Sequence, residues 1–270
     1  MKVFRVCTLI VAAACLTTPV VFGQRMFGGG MRDFGASQMA KIFGQNQSFT
    51  ATAEMTITDK SRPAPMQMDS SYAVLKGNVR TETDMTSMKG LALPPQAIAQ
   101  MKQMGMDRTI SIYRSDKKMM YLVYPGMKAY CEINPADMAP NDKADQKEPK
   151  IESTEIGKET VDGHPCVKDN VTFTTDDGKQ HEMIVWKASD LKDFPIQTEM
   201  QSGGATIATH FTNIKMSAPD ASLFDPPTDY KVYSSMQEMI MANMQHIMPP
   251  GGMPPSGGGS PPAPPSGDGN

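Results

Sequence analysis

The chain has a single tryptophan and only 7% aromatic residues. A core built from it must be packed by Ile, Val, Leu and above all Met, which occurs 25 times. Methionine is flexible and polarizable, so faces rich in it are adaptable. A basic excess is also missing. The net charge is −3, which argues against a nucleic-acid surface, because phosphate binding needs clustered positive charge. Long apolar runs are absent as well. Val6 to Leu16 is too short to span a bilayer as a helix, and nothing later does better. Histidine is scarce. His164, His181, His210 and His246 have no spaced partners of the triad or zinc kind. They read as ordinary strand or surface residues. Asp176, Asp177, Asp190 and Asp193 fall in turns and read as turn formers. No base, nucleophile or carboxylate pair stands out, so the expectation is a non-catalytic protein with no cofactor and no metal.

What is present begins with an export signal. Lys2 and Arg5 precede the short apolar run, and Val21-Phe22-Gly23 suits a signal peptidase, which places cleavage between Gly23 and Gln24. Ala12-Ala13-Ala14-Cys15 offers an alternative, lipidation at Cys15, but it lacks the usual Leu three residues earlier. The expected location is periplasmic or secreted. Cleavage removes Cys7 and Cys15 and leaves Cys131 and Cys166. In an oxidising compartment two remaining thiols are a candidate disulfide, the alternative being two separately buried cysteines acting as small apolar residues.

After a flexible segment over 24–47, rich in Gly, the pattern turns to strands. Phe49, Ala51, Ala53, Met55 and Ile57 alternate with polar residues, one dry face against one wet face. Met66–Leu75 and Val79–Met85 flank Lys76-Gly77-Asn78 and predict a hairpin. Pro94-Pro95 suits a helix start, with Ala97, Ile98, Met101 and Met104 near one face and Gly105 at the end. This predicts a short amphipathic helix over the sheet. Asp107–Asn134 reads as a three-strand meander. Its middle strand, Met119–Tyr124, is apolar on both faces and so must be covered on both, which makes it the expected centre of the fold. Pro135–Pro149 reads as a surface loop. Further strands are expected over 151–160, 166–174, 181–187, 194–200, 205–216 and 230–233. Asp176-Asp177-Gly178 is a hairpin turn signal. Residues 234–248 predict a Met-rich amphipathic helix capped by Ser234 or Ser235, and 249–270, almost only Pro, Gly and Ser, a disordered tail.

The motifs along this series resemble a family. Leu75-Lys76-Gly77-Asn78-Val79-Arg80, Lys117–Leu122 leading to Pro125–Tyr130, Gly157–Cys166 and Leu223–Tyr230 occur in the order found in an exported bacterial domain-of-unknown-function group. That group is similar to the LolA/LolB-like lipoprotein-carrier fold. Over 48–233 the resemblance implies a mainly β domain, a curled antiparallel sheet forming an unclosed half-barrel plugged by short helices around an apolar cavity. It implies as ligand an acyl chain or lipoprotein lipid, and carries over no ligand-binding residue.

Three functions follow from different classes. The first is an exported binding protein for an apolar ligand. The second is a structural envelope protein, its C-terminal tail reaching a partner. The third is Cu(I) handling by Met236, Met239, Met241, Met244, His246 and Met248, since thioethers select Cu(I). The same spacing makes an apolar helix face, and packing is the preferred account of those methionines.

Overall fold

The computed structural model describes residues 42–90, 93–134, 150–174, 178 and 180–247, with backbone alone for 244–247. The expected signal segment, Cys15, the Gly23–Gln24 cleavage point, most of 24–47, the loop 135–149, Asp176, Asp177 and the tail 249–270 lie outside the described residues.

Twelve strands form one sheet. They are β1 (Ser48–Asp59), β2 (Met66–Leu75), β3 (Asn78–Asp84), β4 (Arg108–Arg114), β5 (Met119–Tyr124), β6 (Ala129–Ile133), β7 (Lys150–Val161), β8 (His164–Thr174), β9 (Gln180–Ala188), β10 (Phe194–Ser202), β11 (Ala205–Lys215) and β12 (Lys231–Tyr233). Among the described residues two α-helices lie beside them, α1 (Pro95–Gln103) and α2 (Met236–Ile247). The order across the sheet is β12-β6-β5-β4-β3-β2-β1-β11-β10-β9-β8-β7. Every neighbouring pair is antiparallel except β12 with β6. The edges β12 and β7 are not joined to each other, so the sheet is an open, mainly β half-barrel.

Local chemistry sets the hairpins. Lys76-Gly77, Asp162-Gly163 and Gly203-Gly204 each place two consecutive residues at positive φ, between +49° and +87°. Such two-residue turns match the twist of the strands they join. The chain makes one meander from β1 to β6, then restarts at the far edge with β7 and works back until β11 pairs β1. Laid flat, the step from β6 to β7 crosses ten strand spacings, about 48 Å. The seventeen residue steps from Ile133 to Lys150 reach about 60 Å only at full extension. Curling shortens the crossing, and a twisted twelve-stranded sheet curls in any case.

Three bulges bend the second half, at Thr50/Thr52 against β11, Pro195/Gln197 against β9 and Glu155/Gly157 against β8. In β11 the extra residue is Asn213, at φ +51°. It lets Phe211 and Ile214, an odd and an even position, pack into the same cluster.

The centre of the sheet is β1. The 107–134 meander lies toward one edge, so the expectation that the chain wraps around it is corrected. Its physical basis holds nonetheless. Val123 and Tyr121 of β5 pack under Phe224 on the outer face, while Tyr124 and Leu122 pack under α2 on the inner face. The cover on the outer side is a strap, Ala221–Phe224 and Tyr230. Arg114, itself held by an ion pair to Asp116 of the β4–β5 turn (2.7 Å), pins it through a second ion pair to Asp225.

Candidate functional site

The inner face is the one that carries α2 and the segment leading into β1. Phe43 of that segment inserts among Phe49, Phe194 and Phe211, with ring centroids 4.7 to 5.6 Å away. These rings join β1, β10 and β11 and fix the middle of the trough. Tilted and edge-on ring packing of this sort adds to area burial.

Beyond the aromatic cluster the inner face becomes apolar and less covered. Strand register sets Val171, Met183, Met200, Ile207, Ile57 and Met66 in one straight cross-strand row over β8, β9, β10, β11, β1 and β2. Five spacings make this row about 24 Å long. Its ends are buried, whereas Ile57 and Ile207 in the middle are only half-buried. The parallel row beside it holds Met68, Met55, Thr209, Thr198, Val185 and Asp169. Again the middle is partly open, at Met55 and Met68.

Two rows further on, Tyr72 faces Thr81 and packs edge-on against Phe211. Burial pushes its phenol up from the ordinary value, against a hydrogen bond with Thr81, although the ring keeps some surface. The ring thus lies on the inner face and is partly open to solvent. Next to it Ser70 and Thr83 bond to each other at 2.8 Å, so the floor has no orphaned hydroxyl there.

Asp169 closes the second row. It is 4% exposed. Lys187 pairs with it and Ser153 Oγ donates to it at 2.6 Å. Burial raises its pKa, but Lys187 and Ser153 outweigh that, and the carboxyl sits below its ordinary value. The trough therefore has an apolar middle and a paired, charged end. None of these three residues stood out in the sequence. A buried Asp in an alternating strand was the available signal, but only register brings it to Lys187.

The helices cover the face unequally. Met239 of α2 is 1% exposed and sits on Cys131, Tyr124 and Tyr233. Ser235 caps α2, its Oγ accepting from Glu238 N–H at 3.1 Å, and Ser234 Oγ donates to the Glu238 carboxylate at 2.6 Å. By contrast α1 buries no residue fully, and its Ala97, Ile98, Met101 and Met104 stripe is only half-covered. It is held at its end. Gly105 lies against Gly126, and Asn243 of α2 donates to Met104 O at 2.8 Å. A small cavity of about 160 Å³ lies beneath α2, lined by Met127, Ala129, Lys231, Tyr233, Met239 and Asn243.

The cysteines stay apart. Cys131 on β6 and Cys166 on β8 are nine strand positions from each other and are free thiols in separate clusters. The structure thus holds them as small buried residues, and burial raises both thiols above their ordinary values. The histidines do not converge. His164 pairs with Asp190 at 2.7 Å, and His210 with Asp162 at 2.6 Å, the latter holding the tip of the β7–β8 hairpin over the outer face. His181 faces Phe173. The methionines proposed as one copper cluster divide: Met239 points in, while Met241 is 56% exposed. The side chains of Met244 and His246, and Met248, lie outside the described residues. Among the described residues no group of three or more His, Cys, Asp or Glu could hold a metal ion, and no helix is long and apolar enough to cross a membrane.

A family model described as a domain of unknown function (DUF4412) matches residues 49–209. No curated protein matches the chain. Among solved structures the chain is similar to a LolA superfamily protein from Nitrosomonas europaea, with 9% identity, 68% of this chain and 93% of that one covered and a TM-score of 0.34. It is also similar to LprF from Mycobacterium bovis, with 14% identity, 72% and 97% covered and a TM-score of 0.36. Lipoprotein LppX from Mycobacterium tuberculosis gives 10% identity, 73% and 96% covered and a TM-score of 0.33.

Proposed function

The chain belongs to the family of domain of unknown function DUF4412, and from that premise we propose that it is an exported, non-catalytic envelope protein that holds an apolar ligand, an acyl chain, along its inner face. The observation that carries this is the cross-strand row from Met66 through Ile57 and Ile207 to Met200. A soluble domain normally buries such a row completely or makes it polar; here the middle is left half-covered. Those four residues span three strand spacings, about 14 Å, which matches an acyl chain, since one spans roughly half of a 30 Å hydrocarbon core. Methionine at Met55, Met66, Met68 and Met200 supplies an adaptable lining. The loosely held α1, with a half-covered apolar stripe, has the character of a movable cover. The small cavity under α2 falls below the size of usual ligand pockets, so the open row is the better site.

The test is native mass spectrometry and lipid extraction of the protein purified from its own envelope, with titration of a fluorescent fatty acid. Bound lipid and saturable probe binding are expected. Ile57→Lys and Ile207→Lys, placed in the open middle, should each weaken the probe at least about tenfold, since a buried charge must be desolvated beside it, with the circular dichroism unchanged. Wild type that carries no lipid and does not shift the probe overturns the reading. Export is tested separately: the mature N-terminus should be Gln24.

A further inference from the structure

The inner face holds two hydroxyls that a plain hydrocarbon ligand would not use. Thr198 of β10 and Thr209 of β11 stand directly opposite each other in the second row. They are 5% and 9% exposed. Neither hydroxyl has a hydrogen-bond partner among the described residues. Facing threonines on neighbouring strands can bond to each other, and the other buried hydroxyl pair of this face does so, Ser70 with Thr83 at 2.8 Å. Buried polar groups are seldom left without a partner, so the threonine pair calls for one. It also adjoins the open part of the trough. Met55 lies beside Thr209 across the row, and Ile207 precedes it by two residues on β11; both are half-buried.

We propose, resting on the acyl-chain reading, that Thr198 and Thr209 together hold the carbonyl oxygen of an acyl ester, so that the ligand is an esterified chain and not a free fatty acid. Geometry suits one shared acceptor. Facing Cβ atoms on paired strands are about 5 Å apart, which lets both hydroxyls reach one oxygen at about 2.8 Å each. A carbonyl oxygen has two lone pairs and takes both donors. Charge selects the ester. An ionised carboxylate taken out of water needs a cation beside it. Neither cross-strand row contains a lysine or arginine, and Lys187, at the end of the second, is tied to Asp169. A neutral carbonyl needs only the two hydroxyls. From there the chain runs past Ile207 and Ile57 toward Met66, along the first row.

The test uses the full chain and three probes with one fluorophore and one chain length: a fatty acid, its methyl ester and the corresponding hydrocarbon. At pH 8 the acid should still bind through its chain, and the ester at least about tenfold tighter, because the carboxylate loses water without gaining a cation. Thr198→Val and Thr209→Val keep the side-chain shape. Each should weaken the ester about 3- to 10-fold, as for one neutral hydrogen bond, without weakening the hydrocarbon. Thr198→Ser and Thr209→Ser, which keep the hydroxyl, should retain the ester. Without ligand, the valine variants should resist urea as well as wild type does, since the hydroxyls they lose are unbonded. Equal affinity for ester and acid overturns the proposal, as does a valine variant that binds the ester like wild type, weakens ester and hydrocarbon alike, or is destabilised without ligand. In those cases binding of the hydrocarbon leaves the acyl-chain reading standing; wild type that binds none of the three probes overturns both.

Discussion

Single side chains hold this fold where strands alone would not. Phe224 is 1% exposed and closes the outer face over Ile112, Tyr121 and Val123. Phe224→Ala removes that cover and leaves a void, so a loss of about 3–5 kcal/mol is expected in urea denaturation. Asp169 makes a different prediction. Its folded pKa is below the ordinary carboxylate value because Lys187 and Ser153 overcome the cost of burial. The stability it contributes is therefore present above the unfolded value near 4 and lost as pH falls through the lowered folded value. Asp169→Asn should lower stability at pH 7 by about 1–3 kcal/mol, kept modest because Lys187 is about a third exposed and can turn to water. It should also flatten the acid limb of the stability curve. Parallel acid limbs in the two proteins would show that the carboxylate is not depressed.

Among the elements, α1 and α2 show how unequal docking follows from the residues beneath. Met239 finds a ready slot between Cys131, Tyr124 and Tyr233, so α2 is anchored. The stripe of α1 meets no such slot, and its fixed point is Gly105. That glycine has φ +66°, and a Cβ there would stand 2.5 Å from the backbone carbon of Gly126. Gly105→Ala should thus displace α1 or the 125–127 turn and cost more than the roughly 1 kcal/mol usual for losing a left-handed glycine. Amide exchange in 95–106 should rise selectively. Unchanged exchange there would mean that α1 is held elsewhere. At the opposite edge β7 stays solvent-exposed with Ile156 52% accessible, and Glu152, Glu155, Lys158 and Glu159 supply the charges that discourage edge-to-edge pairing.

The whole molecule is a single sheet whose two halves meet at β1 and β11, strands far apart in the chain. Phe43 and Phe49 of the first half pack on Phe194 and Phe211 of the second. The halves should therefore unfold together. Trp186 reports β9 alone, and far-ultraviolet circular dichroism reports all strands, so the two transitions should coincide; separated midpoints would mean two folding units. How much of this was readable follows from range. Strand positions, the Lys76-Gly77 turn, the Pro95 start of α1 and the Ser235 cap of α2 were set by alternation, φ preference and capping, which act over a few residues. The two covered faces of Met119–Tyr124 were equally legible. What only the tertiary structure decided depends on register and curvature. These put β1 rather than β5 at the centre, set Met66, Ile57, Ile207 and Met200 in one row, brought Lys187 to Asp169, and kept Cys131 on Met239 instead of Cys166. An alternating pattern states which side of its own strand a residue takes; which strand lies beside it is fixed by long-range burial, to which no local window has access.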